Sequence, residues 1–146
     1  MKIILGLVFA ACFITAAHSA VCVESDITPF AGSWYSGGKK ALAVSDEGVL
    51  TLFSYTRNGV LEIHVTCSEK SGVRVGSFVM AAQFGGNDVS LCMVISKGKG
   101  NVQLYVEIPK APKTPPYVVG GSQTVDDYCK DVTMAAITLT STPSSD

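Results

Sequence analysis

The fold of this chain begins at Phe30-Ala31-Gly32-Ser33-Trp34-Tyr35, the stretch that holds its one tryptophan. This stretch follows a proline at position 29 and stands at the entrance to a long series of strand-like segments. From there on, most segments have a period of two. In residues 61–68, for example, apolar side chains alternate with polar ones, which is the pattern of a strand with one face in water. We therefore expect an all-β protein.

Turn residues separate these segments at short intervals. Arg57-Asn58-Gly59 supplies the Asn-Gly pair favoured in two-residue hairpins, because both central residues of such a turn take a positive φ. Stretches of turn-forming residues that contain glycine, at 46–48, 85–88 and 97–101, indicate further turns. The short connections favour an antiparallel meander. The predicted strands lie near residues 32–36, 40–45, 48–56, 60–68, 73–84, 88–96, 101–108 and 131–140.

Eight antiparallel strands must protect their edges from pairing with other chains. Closure into an eight-stranded up-and-down barrel does so most completely, and a β-sandwich of the same strands is the alternative. An eight-stranded barrel has an interior wide enough for side chains or for one small ligand. We expect one disulfide-bonded barrel domain over residues 21–140, followed by a small, polar and flexible tail at 141–146.

The first twenty residues have the pattern of a secretory signal peptide. Lys2 precedes an uncharged apolar run at 3–14, and small residues follow it. The run is too short to span a membrane as a helix. Cleavage is expected after Ser19 or Ala20, although His18 is an unusual residue three positions before the second of these sites. Removal of the signal peptide leaves about 126 residues, enough to bury a sizeable core.

Four cysteines remain after the leader and predict two disulfides in an oxidising compartment. Four cysteines allow three connectivities, and their spacing does not select among them. We favour Cys22–Cys129 with Cys67–Cys92, because a closed meander brings its two ends together. The spacings are far from Cys-x-x-Cys, so a zinc or redox site is not expected.

The charged residues argue against several classes of function. Lysines and arginines are scattered and slightly outnumbered by acids, so we expect neither nucleic acid nor a membrane as a partner. His64 alternates with polar residues and is interpreted as exposed rather than as a general base. Asp126, Asp127 and Asp131 lack the spacing of a calcium loop and are interpreted as a solvated loop. No catalytic residue, metal site or cofactor is predicted.

Gly32-Ser33-Trp34-Tyr35 resembles the Gly-x-Trp signature that begins the first strand in lipocalins, avidins and related barrels, the calycin superfamily. Residues 46–51, followed by Tyr55, also resemble the second hairpin of avidin-like proteins. The resemblance covers residues 30–55. It implies an avidin-like or short lipocalin-like barrel. It also implies that Trp34 packs across the closed end as a structural residue and that Tyr55 contacts a ligand.

With no catalytic or metal site predicted, apolar side chains are the candidates for binding a ligand. We expect Phe53, Tyr55 and Tyr105 to line a cavity, whose mouth the proline-rich segment 109–116 gates or flanks. The same side chains would be core in a filled barrel. Further pocket candidates are Phe78, Met80, Met93 and Tyr117.

Two functions are compatible with this pattern. The fold analogy favours a secreted, non-enzymatic carrier of a small apolar ligand. The alternative is a secreted β-domain that acts by protein contact, as an inhibitor, an adhesion protein or a matrix component. Segments with apolar residues on both faces, such as 73–84, would then form an interface or the seam of a homo-oligomer.

Overall fold

A computed structural model describes residues 19–143 of the chain. The predicted leader up to residue 18 and the last three residues of the predicted tail lie outside this range. The described part contains nine strands, two short α-helices and two 3-10 turns. The strands are β1 (Ala20–Val21), β2 (Gly32–Ser36), β3 (Lys39–Val44), β4 (Leu50–Thr56), β5 (Gly59–Lys70), β6 (Ser77–Phe84), β7 (Asn87–Lys97), β8 (Gln103–Pro109) and β9 (Met134–Thr140). The helices are α1 (Glu24–Ile27) and α2 (Val125–Cys129), and the 3-10 turns are Thr28–Phe30 and Lys99–Asn101.

Strands β2 to β9 form a closed antiparallel barrel. Each pairs with the next along the chain, and β9 returns to β2 through the pair Tyr35↔Thr140. Strand β1 lies outside the barrel on β5, where Val21 faces Glu69. The predicted barrel and its eight strands are confirmed, and the sandwich alternative is wrong. The largest shift is in the strand predicted over residues 73–84, which starts at Ser77, because residues 73–76 form a turn in which Gly76 has a φ of 84°.

The interior of the barrel is filled with apolar side chains. All eight barrel strands contribute to one contiguous core cluster, which also includes Ile27 of α1. The inward residue types are mainly leucine, valine, isoleucine and methionine, which pack densely. The most buried members include Leu42, Leu50, Val65, Met80, Met93, Ile95, Leu104, Val106 and Leu139.

The N-terminal segment closes one end of the barrel, which we call the capped end. This is the end of the loops at 45–49, 71–76 and 98–102. Helix α1 lies against the first of these loops, since a Cβ at Gly48 would come within 3.6 Å of Ile27. Trp34 is 4% exposed, and its indole N–H donates a 2.8 Å hydrogen bond to the Phe30 carbonyl. The tryptophan thus ties the first barrel strand to the cap.

The long connection between β8 and β9 covers the outer face of β6 and β7. Val79 and Cys92 point outward from these strands and form a second cluster with Val125 and Tyr128 of α2. Lys113 forms an antiparallel bridge with Ser90 at the edge of β7. The proline-rich segment thus lies against the outer face near the start of β7, and its predicted role in gating or flanking a barrel mouth stays a prediction. Apolar residues on the outer face of β6 and β7 need cover, and the connection supplies it.

Both disulfides join the barrel to the segments that cover it. They are Cys22–Cys67 and Cys92–Cys129, with Cα–Cα distances of 5.8 and 5.9 Å. Two disulfides were predicted, but the favoured pairing was wrong. Cys22 follows β1, which pairs with the end of β5 close to Cys67, and Cys129 ends α2 on the face that carries Cys92. The partners therefore follow from strand pairing and helix packing, not from the meeting of the two chain ends.

Candidate functional site

The aromatic side chains of β4 that were predicted to line a cavity lie on the outer face of the barrel. Leu50 and Leu52 belong to the core, so the alternating Phe53 and Tyr55 face away from it. Tyr55 is 43% exposed and donates a 2.7 Å hydrogen bond to the carbonyl of Lys40. The ammonium groups of Lys39 and Lys40 lie over the rings of Tyr55 and Phe53, so these rings do not face an interior cavity.

Tyr105 also faces outward, on the other side of the barrel. Its neighbours Leu104 and Val106 are buried in the core, and Tyr105 is 43% exposed. It lines a shallow groove of about 270 Å³ across β7, β8 and β9. The expectation that Phe53, Tyr55 and Tyr105 line an internal cavity is therefore wrong, and the structure does not bring the three together.

A larger apolar cleft lies at the capped end. Its volume is about 450 Å³, within the range typical of small-molecule sites. The 3-10 turn of the cap, the 71–76 turn and the end of β7 form its walls. It is lined by Asp26, Phe30, Lys70, Ser71, Val75, Gly76, Phe78, Ile95, Ser96 and Lys97. Phe78 was among the further pocket candidates; the other lining residues were missed.

Three charged side chains stand around this cleft. Lys70 Nζ lies 2.7 Å from Asp26 Oδ1, and Asp26 Oδ2 accepts a 2.8 Å hydrogen bond from the Val23 N–H. Partial burial alone would raise the pKa of the Asp26 carboxyl, but these two interactions hold it below the ordinary value. Lys97 has no ion-pair partner among residues 19–143. The cleft thus combines an apolar floor with one ion pair and one unpaired cation.

A close approach of two backbones shapes the floor of the cleft. A Cβ at Gly76 would lie 2.5 Å from the Ile95 carbonyl oxygen, and the Ile95 N–H donates to the Gly76 carbonyl. Glycine is thus required sterically as well as by its positive φ. The turn residues at 71–76 were visible in the sequence, but this approach depends on the pairing of β6 with β7.

A second polar group lies beneath the long connection. Glu69 is 4% exposed, and its carboxylate accepts a 2.6 Å hydrogen bond from the Tyr117 hydroxyl. Burial, followed by the bond to Glu69 and its charge, raises the pKa of Tyr117 to about 12. Close by, Ser71 donates a 2.8 Å hydrogen bond to Asp126. The prediction that Asp126 lies in a solvated loop is wrong, because α2 packs against the barrel.

The residues considered for catalysis or metal binding do not assemble into such a site. His64 is exposed on β5, with its Nδ1 3.1 Å from the Thr51 hydroxyl. Between residues 19 and 143, no group of three or more His, Cys, Asp or Glu side chains is placed to hold a metal ion. The same range contains no helix with the length and apolar character needed to cross a membrane.

Comparisons with known proteins returned no relative. A scan against protein-family models, a search of curated proteins and a search of solved structures each found no match. The calycin resemblance of residues 30–55 therefore stays a prediction from the sequence.

Proposed function

We propose that this protein is a secreted, non-enzymatic carrier that binds one small, largely apolar ligand in the cleft at the capped end. The observation that carries the proposal is the cleft itself, with about 450 Å³ of space, an apolar floor and few charged groups. Two disulfides fit an oxidising compartment, and the sequence pattern of the first twenty residues supports export.

The lining of the cleft suggests the shape of the ligand. The half-buried Phe30 and the exposed Val75 offer apolar surface for a hydrocarbon or aromatic body, and Phe78 and Ile95 are almost fully buried parts of the same lining. Lys97 stands at the rim without an ion pair in the described part of the chain, so it favours a negatively charged or hydrogen-bond-accepting end. The ligand class is thus a small amphiphile whose polar end remains near the surface.

Native mass spectrometry of the protein secreted by its natural source tests carriage directly. We expect a discrete added mass of a few hundred daltons, which solvent extraction removes. A bare chain mass from gently handled material would contradict the carrier function.

A substitution at the rim tests the location of the site. Val75 is fully exposed and lines the cleft, so Val75→Trp should obstruct it without disturbing the core. Val73 is also exposed, in the same turn, but does not line the cleft, which makes Val73→Trp the matched control. With the anionic apolar probe 1-anilinonaphthalene-8-sulfonate, we expect at least tenfold weaker binding for Val75→Trp and unchanged binding for the control. Equal affinity in both variants would place the probe elsewhere.

Protein contact is the second candidate function, and the hairpin of β4 and β5 favours it. At its tip Tyr55, Val60 and Leu61 are 43%, 54% and 51% exposed. Residues 59–65 of β5 pair with β4, whereas the registered pairs with β6 begin at Thr66. Exposed apolar residues beside a free strand edge are typical of interaction surfaces. Sedimentation velocity should then show concentration-dependent association that Leu61→Lys abolishes, and a monomer at all concentrations would count against self-association.

A further inference from the structure

The start of the described chain lies against the long connection that covers β6 and β7. Strand β1 places Ala20 opposite Lys70 and Val21 opposite Glu69. The Ser19 hydroxyl accepts a 2.7 Å hydrogen bond from the Val125 N–H at the start of α2. Because consecutive Cα atoms are only about 3.8 Å apart, the backbone nitrogen of Ala20 lies within a few ångströms of this helix end.

Two carboxylates at this place, those of Glu69 and Asp126, have no ion-pair partner among residues 19–143. Glu69 is buried and is hydrogen-bonded to Tyr117, and the Ser19 side chain is a further neighbour of the same hydroxyl. Asp126 Oδ2 accepts from Ser71, whereas Asp126 Oδ1 is buried and has no hydrogen-bond partner among residues 19–143. A buried carboxylate oxygen without a donor is costly, so a missing donor is the simplest explanation.

Cations already in the fold do not supply that donor. The only ion pair within residues 19–143 joins Lys70 to Asp26, so the ammonium of the residue opposite Ala20 on β5 is engaged elsewhere. Lys113 donates to the Tyr128 carbonyl and lies over the Tyr128 ring. The positive end of α2 opposes a cation here, but the helix has only five residues and contributes a weak dipole.

We propose that the missing donor is created by removal of the leader after Ser19, and that the new α-ammonium of Ala20 pairs with Asp126 and Glu69. The inference rests on the export proposed above. A leader-removing endopeptidase hydrolyses the Ser19–Ala20 peptide bond with one water molecule, which leaves a carboxylate on Ser19 and an amine on Ala20. The amine takes up a proton at neutral pH, and the Ser19 hydroxyl departs with the leader.

The strand pairing selects this bond over its neighbour. Cleavage after Ser19 preserves both residues of β1, whereas cleavage after Ala20 removes one of its two cross-strand pairs. The ammonium offers three donors where Ser19 offered one hydroxyl. Processing therefore anchors the N-terminus beside Cys22, whose disulfide to Cys67 holds the same corner of the fold.

The mature secreted protein provides the test. Mass spectrometry of the N-terminal peptide should identify Ala20 as the first residue. Reductive ¹³C-methylation keeps the charge of the α-amino group, and its NMR titration should give a pKa at least about one unit above the ordinary 7.7–8.0. The charged and titratable groups that face it are Glu69 and Lys70 of β5, Tyr117 of the connection, and Asp126 of α2.

Substitutions of the acidic residues test whether pairing with Asp126 and Glu69 is what raises the pKa of the α-amino group. Asp126→Asn should return the α-amino pKa towards its ordinary value, and Glu69→Gln should lower it by a smaller amount. Asp127→Asn is the matched control, because Asp127 lies on the same helix but is exposed. An ordinary pKa in the unsubstituted protein, which needs no variant to fold, would overturn the proposal, as would equal effects of the Asp126 and Asp127 substitutions. A mature protein that begins at a residue other than Ala20 would also overturn this proposal but would not affect the ligand cleft. Failure of the protein to be secreted would instead refute the proposed function.

Discussion

Replacement of Trp34 tests how the cap is held on the barrel. The indole is 4% exposed in the core, and its N–H donates to the Phe30 carbonyl in the 3-10 turn. Trp34→Ala removes a large buried ring and should cost about 3–5 kcal/mol of unfolding free energy. Trp34→Phe keeps much of the burial but leaves the carbonyl without its donor, which should cost roughly 1–3 kcal/mol.

The assay is urea unfolding of the oxidised protein followed by far-ultraviolet circular dichroism, because the substitutions remove the one tryptophan fluorophore. For a domain of this size, each kcal/mol also lowers the melting temperature by roughly 3–5 °C. Val75→Ala is the control, since Val75 is fully exposed. A loss below about 1 kcal/mol for Trp34→Ala would refute the tie between strand and cap. Unchanged amide exchange at Phe30 and Ala31 in Trp34→Phe would do the same.

Replacing Cys92 and Cys129 together by serine should cost about 2–4 kcal/mol, measured by urea unfolding, and peptide mapping of the unsubstituted protein should recover these two cysteines in one disulfide-linked pair. Tyr117 should ionise near pH 12 in a phenolate absorbance titration, and Tyr117→Phe should remove that step. Folding raises the pKa of the Tyr117 hydroxyl. The stabilising contribution of this hydroxyl is therefore complete below the unfolded-state pKa of 10.0 and is lost as the pH rises through about 12. Leu50→Ala should cost about 2–5 kcal/mol and Tyr55→Phe less than about 1 kcal/mol, because Leu50 is fully buried and Tyr55 is on the surface.

The candidate site could be predicted only in part. Phe78 was recognised as a pocket candidate because it is a large apolar residue in a strand, and it does line the cleft. The other walls come from the cap, the 71–76 turn and the end of β7, which are distant along the chain. No local pattern marks such a meeting. The burial of the Asp126 carboxylate also depends on a tertiary contact. The acidic composition around Asp126 is typical of a loop, and only the packing of α2 against the barrel buries this side chain.

Sequence periodicity by itself determined the strands and their antiparallel order. Alternation and hairpin turns are local properties, so Asn58-Gly59 and the glycine pairs marked where β-strands end. The period of two also showed that Phe53 and Tyr55 share a face. It did not show which face is inside, because β4 carries large apolar residues on both faces. Only barrel closure decided that, by burying the face of Leu50 and Leu52.

The disulfide pairing and the position of the long connection were likewise decided by the tertiary structure. Cys22 meets Cys67 because β1 pairs with the far end of β5, and Cys129 meets Cys92 because α2 covers an apolar outer surface. Both contacts join residues more than thirty positions apart, with separations of 45 and 37. Spacing constrains such pairs weakly, since the entropy of closing a loop changes slowly with its length. Strand register and the burial of apolar surface select among them.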